Sequence, residues 1–388
     1  MIALCLKSFF RYLTMWFRAF TPASRQIAPI SFQRLCFLCI LFPLFCLVQC
    51  IHWVGLLLDE LFFSNYRKVE IADPVFISGI PRSGTTFVHQ TLATDTAQFT
   101  YFSTWEAALA PSICERKCIR FIGRIDQALG KPGKRLLDAI LRKCTGNSMD
   151  SIHAIDLSAA EEDYLCLLPV ANCFIFTIAF PTDRYLKQTG TLEQLLSAQR
   201  EQVLNYYHRC LQRHLYCAPA GTRLLSKNAA FASWMPYLVE RYPDAKSILC
   251  IRDPIRGLSS QLSSLAPARS LFGSDPTGEH TANQFLKLFQ NNYKTLAKFA
   301  ADPEVSNFVL IDQNDLKNQP EKVLRTALEK LQIKAGPALE ERLNKLSPHK
   351  QGNHIHSATE QAIDASEIEN CLRQPYEEIL AAPTRIQP

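Results

Sequence analysis

The stretch FISGIPRSGTTFVHQTL, residues 76–92, constrains the fold more than any other part of the chain. It begins with apolar, strand-like residues, continues into a loop that carries Gly79 and Gly84, and ends in a helical pattern. When a glycine loop connects a strand to the N-terminus of a helix, the backbone N–H groups there form a binding site for an anion such as phosphate. The stretch therefore predicts an anion site built on a strand, a loop and a helix.

The loop differs from the G-x-x-x-x-G-K-[ST] pattern of nucleotide-binding loops at one informative position. Thr85 stands where that pattern has its lysine, and Arg82 provides a positive charge inside the loop instead. Hydroxyl groups next to this charge add hydrogen-bond donors. We predict that the anion is bound by Pro81, Arg82, Ser83, Gly84, Thr85 and Thr86.

The rest of the chain alternates short apolar runs with helical patterns. FTYF, RLLSKN, KSILCI and NFVLID have the composition of strands, and helical patterns separate them, including one over residues 112–145. This alternation predicts an α/β fold, a mostly parallel sheet flanked by helices, in one domain over residues 66–388. Ligands of such folds bind at the carboxyl ends of the strands, where the glycine loop lies.

A second loop of this kind follows the strand-like run KSILCI, in the segment IRDPIRGLSSQLSS. Arg252 comes directly after the run, and Ser260 lies eight residues further on, about two turns into the next helix. A guanidinium group binds a phosphate with two parallel hydrogen bonds, and a serine hydroxyl adds a third. A surface turn formed by Arg252 and Asp253 would account equally well for this segment alone.

The two elements together, in this order and about 170 residues apart, resemble those of the sulfotransferases that use 3′-phosphoadenosine 5′-phosphosulfate (PAPS). PRSGTT is similar to their 5′-phosphosulfate loop, in the arginine form of protein-tyrosine and bacterial membrane-type members. Arg252 and Ser260 match the arginine and serine that hold the 3′-phosphate, at the same interval. The resemblance covers residues 74–265 and implies a P-loop-like sulfotransferase fold, with PAPS as co-substrate and no metal.

The resemblance also implies catalytic residues. Lys227 takes the place of a functional lysine, although Asn228-Ala229 stands where the family often has Asp-Pro or Ser-Pro. A sulfotransferase must stabilise negative charge on the bridging oxygen as adenosine 3′,5′-bisphosphate leaves, and we predict that Arg82 and Lys227 do so.

Glu106, in STWEAAL, is the residue predicted to accept the proton of the acceptor hydroxyl. It lies 24 residues after Arg82 and resembles the glutamate that some family members use after this strand. A glutamate at a helix start also pairs with the helix dipole, which is a structural role. His153 and the pair Glu161-Glu162 are the alternatives for the base.

A late segment, HKQGNHIHS, contains three histidines and a lysine. Family members close a basic, glycine-containing loop over the cofactor, and Lys350 or His356 would serve here. Metal binding by the histidines is the weaker interpretation, because their spacing fits no regular site. The segment's histidines are His349, His354 and His356.

The first residues carry most of the chain's net charge of +6. Residues 1–58 contain five basic and no acidic side chains, so the charge does not indicate nucleic acid as a partner. Leu35–Leu58 is a run of 24 uncharged residues, and about 20 apolar residues span a bilayer. We predict that residues 1–65 form a membrane anchor that either spans the bilayer or lies in its interface. The sequence does not determine on which side of the membrane the domain lies.

These observations lead to the hypothesis of a membrane-anchored sulfotransferase that transfers a sulfuryl group to a hydroxyl or amine. A small molecule, a lipid or a glycan would be the acceptor. The alternatives are a P-loop kinase or ATPase-like phosphotransferase and a non-catalytic nucleotide-binding membrane scaffold. A kinase would require a lysine at position 85 and an acidic residue after a later strand, but Thr85 and Arg252 occupy these positions.

Overall fold

The computed structural model describes residues 1–136, 159–348 and 363–387. Its centre is a five-stranded sheet in which all paired strands are parallel, with spatial order β2-β3-β1-β4-β5. The α/β fold with a parallel sheet predicted from the alternating pattern is therefore confirmed. The strands are β1 (Val75–Gly79), β2 (Phe99–Thr100), β3 (Arg223–Lys227), β4 (Lys246–Ile251) and β5 (Phe308–Asp312).

Helices surround this sheet in chain order. The long helix α3 contains a π-helical turn near its start. Helix α6 ends before residue 145, the end of the predicted helical pattern, because Gly130 and Lys131 both adopt positive φ angles. The helices are α1 (Ile2–Ala19), α2 (Pro22–Ile27), α3 (Phe32–Phe62), α4 (Thr85–Leu92), α5 (Thr104–Ala108), α6 (Ile113–Ala128), α7 (Arg184–Thr189), α8 (Ser197–Cys217), α9 (Met235–Arg241), α10 (Pro254–Phe272), α11 (Glu279–Ala301), α12 (Gln313–Asn318), α13 (Pro320–Lys330), α14 (Pro337–Asn344) and α15 (Ala365–Leu380).

Both faces of the sheet are covered, as apolar parallel strands require. Every residue of β1 is buried, and successive side chains enter opposite cores. Phe76 belongs to the core that contains Val203 of α8. Ile77 belongs to the other core, with Val88 of α4 and Val323 of α13. The central strand is thus held on both sides, which fixes the position of the loop that follows it.

The N-terminal helices pack on the first of these faces. Phe9 of α1 lies against Trp53 of α3 with ring centroids 6.3 Å apart, and Nε1 of Trp16 donates a hydrogen bond to the carbonyl of Leu38 at 2.8 Å. Later residues of α1 therefore meet earlier residues of α3, so the two helices are antiparallel. Leu56 of α3 is part of the domain's own core. Helix α3 is long and apolar enough to cross a membrane, judged by length and composition.

Four strand ends meet at the carboxyl edge of the sheet. The loop after β1 holds Arg82, and Lys227 is the last residue of β3. Arg252 follows β4, and Gln313 follows β5. The parallel topology therefore brings loops that are far apart in the sequence to one edge.

Candidate functional site

The glycine loop, residues 80–84, leaves β1 at a point of close backbone approach. Gly79 has a φ of +133°, and a Cβ there would lie 2.0 Å from the carbonyl oxygen of Cys250 on β4. The next residue, Ile80, donates its N–H to that same carbonyl at 2.9 Å. Only glycine fits this position without displacing β4, so the sequence at Gly79 is dictated by the sheet.

Within the loop, Arg82 and Gly84 have φ angles of +67° and +98°. A left-handed conformation is uncommon for arginine and marks a strained turn. The buried Ser83 hydroxyl donates to the carbonyl of Ile80 at 2.6 Å, so it stabilises the turn from inside. The Arg82 carbonyl accepts hydrogen bonds from Nη1 of Arg252 and Nε2 of Gln313, both at 2.8 Å.

The predicted residues Arg82, Arg252 and Ser260 meet at this edge. Nε of Arg82 donates to the Ser260 hydroxyl at 3.2 Å. Burial and the nearby positive charge of Arg82 lower the pKa of Arg252. Nε of Arg252 is buried and has no hydrogen-bond partner among the described residues. Two cations beside each other, one with an unused donor, fit a bound anion.

A cavity of about 550 Å³ opens beside the loop. Its basic residues are Arg82, Arg252 and Lys317, and Glu162 is the one carboxylate among the described residues that line it. Burial and the charges of Arg252 and Arg256 lower the pKa of Lys317. The excess of positive charge therefore extends across this part of the cavity. The predicted loop residues that line it are Pro81, Arg82, Gly84, Thr85 and Thr86.

Glu162 forms an ion pair with Lys227, with Oε1 and Nζ 2.6 Å apart. Lys227 is 4% exposed at the end of β3. The segment that carries Glu162 is fixed because the N–H of Glu161 donates to the carbonyl of Phe102 at 2.9 Å. The structure thus brings Lys227 into contact with Glu162, one residue of the Glu161-Glu162 pair. In the sequence, Glu162 precedes Lys227 by 65 residues.

Asp163, the next residue, lies beneath this ion pair and was missed as a site residue. Its carboxylate accepts hydrogen bonds from the Tyr207 hydroxyl at 2.7 Å and the Ser226 hydroxyl at 2.6 Å. Burial raises its pKa from the ordinary value of 3.8 to about 6. The acidic run Glu161–Asp163 was the available signal, but a run of this kind at a helix start also predicts a cap.

Glu106 has a different environment. It is the third residue of α5 and forms a capping box with Ser103, and Nη2 of Arg120 donates to it at 3.1 Å. Burial alone raises the pKa of this carboxyl, but the charge of Arg116 and the hydrogen bonds from Ser103 outweigh burial, so the pKa is lowered. Glu106 is not among the described residues that line the cavity.

Part of the cavity lining is apolar. Phe174 and Ile175 lie in a short 3₁₀ helix, Phe174–Thr177, and Phe285 and Leu288 come from α11. Tyr164 is a further member of this apolar wall. A cavity lined by both cations and apolar side chains can hold a ligand that has an anionic and an apolar part.

Several predicted residues lie outside the described residues. They are His153 among the alternatives for the base, and His349, Lys350, His354 and His356 of the late loop. Among the residues that the structure describes, no group of three or more His, Cys, Asp or Glu could hold a metal ion.

The parallel sheet and the cationic glycine loop at its carboxyl edge define an α/β protein with a positively charged cavity at its strand ends. Residues 74–337, well over half of the chain, match the model of the Sulfotransferase family, and the chain belongs to that family. The resemblance seen over residues 74–265 is thereby confirmed.

Solved structures show the same fold. Sulfotransferase STF1 from Mycobacterium tuberculosis H37Rv aligns with a TM-score of 0.65 and 15% identity, over 95% of this chain and 92% of that chain. Sulfotransferase STF9 from Mycobacterium avium aligns with a TM-score of 0.62 and 17% identity, over 81% of this chain and 78% of that chain. No curated protein matches the chain in sequence.

Proposed function

We propose that this sulfotransferase moves a sulfuryl group from PAPS to a hydroxyl group of an acceptor with an apolar body. The observation that carries the proposal is the meeting of Arg82, Ser260 and Arg252 at the glycine loop. The cavity beside these residues has three basic groups and one carboxylate among its described lining residues. PAPS has phosphate groups at the 3′ and 5′ positions of its ribose and therefore needs two cationic sites in one cavity.

The donor would be held at two points. Thr85 and Thr86 begin α4, and the backbone N–H groups of a helix start bind the 5′-phosphosulfate. Arg252 and Ser260 would bind the 3′-phosphate, and the unused Nε donor of Arg252 is available for it. Because Ser260 also contacts Arg82, the two points are connected. A phosphate group placed here would complete hydrogen bonds that the described residues leave open.

We propose Glu162 as the group that accepts the acceptor's proton. It lines the cavity, whereas Glu106 is held by Ser103 and Arg120 away from the described lining. A general base must lie within hydrogen-bond reach of the proton that it removes, and its pKa is best near the working pH. The lowered pKa of Glu106 makes it a weaker base. Glu106 remains the prediction from the family resemblance and is tested beside Glu162.

Arg82 and Lys227 would stabilise the leaving group. During transfer a bond forms between the acceptor oxygen and sulfur, and the bond from sulfur to the bridging phosphate oxygen breaks. The electron pair of the broken bond stays on that oxygen, and the acceptor proton moves to the carboxylate. Cations placed where negative charge develops are usually the largest single contribution to catalysis. Arg82 is at the glycine loop, where the 5′-phosphosulfate would be held, and Lys227 is paired with Glu162, the proposed base.

The acceptor would be a lipid or another apolar alcohol rather than a free sugar. The apolar wall formed by Tyr164, Phe174 and Ile175 would bury a hydrocarbon body. A membrane association of residues 1–65 agrees with such an acceptor, because α3 is long and strongly apolar. A glycan acceptor would leave this wall without a complementary ligand.

The test is a calorimetric titration of the full chain with adenosine 3′,5′-bisphosphate and, separately, with ATP and magnesium. We expect the bisphosphate to bind without metal, and Arg252→Ala to weaken it about a hundredfold, because two charge-assisted hydrogen bonds are lost. Arg342→Ala is the control, since Arg342 is an exposed arginine on α14. Tight binding of ATP and magnesium with no bisphosphate binding would indicate a phosphotransferase, and binding of neither would indicate a scaffold.

A further inference from the structure

Helices α1 and α3 are apolar on the side that faces the solvent as well as on the side that packs against the domain. On α3 the outward side chains recur every three or four residues, which is one face of a helix. All of them are large and apolar, and Leu47 and Ile51 are 59% and 56% exposed. This outward face of α3 consists of Ile40, Leu44, Leu47, Ile51, Val54, Leu58 and Leu61.

The neighbouring helix α1 has the same arrangement. Its inward face, which includes Tyr12 and Met15, is buried against the domain. Its outward face is again apolar and recurs at helical spacing, with Leu6, Phe10, Leu13 and Phe17 exposed. Since α1 and α3 are in contact along their length, they form one layer, and we call their combined outward side the apolar face.

The inward side of α3 is attached to the domain by polar groups at both ends. Near its start, the buried Arg34 donates to the carbonyl groups of Ala179 and Phe272, at 2.8 and 3.1 Å. Near its end, Oδ2 of Asp59 accepts from Nε of Arg213 at 3.0 Å, and both side chains are fully buried. These contacts hold the helix flat against the domain.

This attachment excludes a membrane-spanning orientation for α3. Arg34 and Asp59 are 25 residues apart, so the attached length is about 38 Å at 1.5 Å per residue. The hydrocarbon core of a bilayer is about 30 Å thick. If α3 crossed the bilayer, the domain to which both of its ends are attached would have to enter the hydrocarbon as well. A helix attached in this way can contact a bilayer only along its side.

The charge of this layer indicates the kind of surface that covers it. Residues 1–58 contain five basic side chains and no acidic one, and the two acidic residues that follow at the end of α3 are both paired with Arg213. Lys7, Arg18 and Arg25 are exposed beside the apolar face. A helix with an apolar face and flanking basic residues binds in the plane of a bilayer that contains anionic lipids.

We propose that the apolar face of α1 and α3 binds the surface of an anionic bilayer in-plane, so that the whole domain stays on one leaflet. This proposal gives the orientation of the membrane association described above and does not depend on the transfer reaction. The inner side of α3 also lies close to the cavity. Phe176, between the cavity wall and α3, packs on Phe45 with ring centroids 4.8 Å apart, and its neighbours Phe174 and Ile175 line the cavity.

Vesicle flotation tests the partner. The full chain is mixed with vesicles of phosphatidylcholine alone, or of phosphatidylcholine and phosphatidylglycerol in equal parts. We expect binding to the mixed vesicles that weakens with salt. The double variant Leu47→Glu, Ile51→Glu should bind at least about tenfold more weakly, because two charges would enter the interface.

The matched control is Lys322→Gln, Lys330→Gln, which changes the net charge by the same amount on α13, across the sheet from α3. It should bind as the unchanged chain does. Circular dichroism and thermal midpoints verify that both variants are folded. Equal weakening by both variants, or no flotation of the unchanged chain, would overturn the proposal. So would dimers in lipid-free solution that Leu47→Glu, Ile51→Glu dissociates, because the face would then cover a second copy.

A topology experiment tests the orientation. The full chain, with one epitope tag at each end, is synthesised in the presence of sealed vesicles and then treated with protease from outside. In-plane binding exposes both tags, so both are lost. Protection of one tag would show that α3 spans the bilayer and would overturn the proposal. Neither experiment measures catalysis. A result that overturns the proposed membrane binding therefore leaves the proposed sulfuryl transfer untouched.

Discussion

The carboxyl edge of the sheet and the N-terminal helix pair arrange their charges in opposite ways. At the edge, Arg82 and Arg252 lie side by side and line a cavity, and Nε of Arg252 has no partner among the described residues. In the helix pair, Asp59 is paired with Arg213. The fully buried Arg34 donates to two carbonyl groups, although its Nε and Nη2 also have no partner among the described residues. The difference is therefore access, because Arg252 lines an open cavity that an anion can enter, whereas Arg34 is enclosed by the protein. The edge is suited to an anion that the chain does not supply, whereas the helix pair uses its charges to fix its own position.

Apolar side chains show the reverse contrast. At the edge they face inward and line a cavity, as Phe174 and Ile175 do. In the helix pair they face outward, as Leu47 and Ile51 do. Each region thus has one kind of surface group without a partner in the protein. At the edge these groups are cations, and on the helices they are apolar side chains. What a region binds is therefore indicated by the groups that have no partner within the protein, rather than by its well-packed parts.

The largest effect is expected at the carboxylate of the edge. Glu162→Gln should lower the rate of sulfuryl transfer to an apolar alcohol by about 10²–10⁴-fold, the usual contribution of a general base. Affinity for adenosine 3′,5′-bisphosphate should change little. Glu106→Gln is the paired variant, because its carboxylate forms a capping box instead. If Glu106→Gln abolishes transfer while Glu162→Gln retains it, the family resemblance has identified the base correctly and the cavity geometry has not.

The second effect concerns the paired charges of the helix region. Asp59→Ala should lower the free energy of unfolding by about 3–5 kcal/mol, because it removes one of the two carboxylates paired with the fully buried Arg213 and the acceptor of two backbone N–H groups at the start of α6. Urea denaturation measures the change. Glu341→Ala removes an exposed carboxylate on α14 and should leave stability nearly unchanged. A small effect of Asp59→Ala would mean that α3 is attached loosely, and the contrast between the two regions would be lost.

The sequence predicted the edge better than the helices, for a physical reason. The glycine loop and Arg252 each follow a buried strand directly, so local patterns and the rule of parallel sheets place them together. The helix layer depends on which side of α3 faces the domain. Gln49 and His52 interrupt the apolar run of α3, and both are buried on its inner side. Only the tertiary packing reveals that His52 faces Glu115 of α6, with Nδ1 and Oε1 2.6 Å apart.

The contact between Glu162 and Lys227 was equally hidden. It depends on the path of a segment that hydrogen-bonds to Phe102 and then crosses towards β3. The number of residues between Glu162 and Lys227 does not predict this contact, because the contact depends on the three-dimensional path of the segment. Asp163 illustrates the same limit, because its partners Tyr207 and Ser226 come from α8 and β3. The sequence offers Glu161 and Glu162 as alternatives for the base, and of these two residues Glu162 lines the cavity.

The third effect is a pH dependence at Asp163, an acid buried at the edge without a cation in direct contact. Its pKa of about 6 in the folded chain is above its ordinary 3.8, so the folded state binds more protons between these values. The stabilisation is complete below pH about 4 and is lost as the pH rises through about 6. Asp163→Asn imitates the protonated form, so it should match the unchanged chain at pH 4 and exceed its stability at pH 7 by up to about 3 kcal/mol.

Urea denaturation at both pH values measures this difference, and the other carboxyl groups cancel in the comparison. Asp302→Asn is the control, because Asp302 is exposed and its amide can still accept the hydrogen bond from Glu304. It should follow the unchanged chain at both pH values. If Asp163→Asn is less stable at pH 7, the hydroxyl groups of Tyr207 and Ser226 stabilise the charged carboxylate more than burial destabilises it.

The smallest effect compares two glycines. Gly79→Ala should cost about 1–3 kcal/mol, since Gly79 has a φ of +133° and the new Cβ would meet the carbonyl of Cys250. Gly123→Ala, inside α6 with nothing within 4 Å of the new Cβ, should instead stabilise the chain by about 0.5–1 kcal/mol. Denaturant midpoints measure both changes. Equal responses would mean that β4 yields to the new methyl group, and the glycine loop would then be less rigid than an anion site that depends on fixed N–H groups requires.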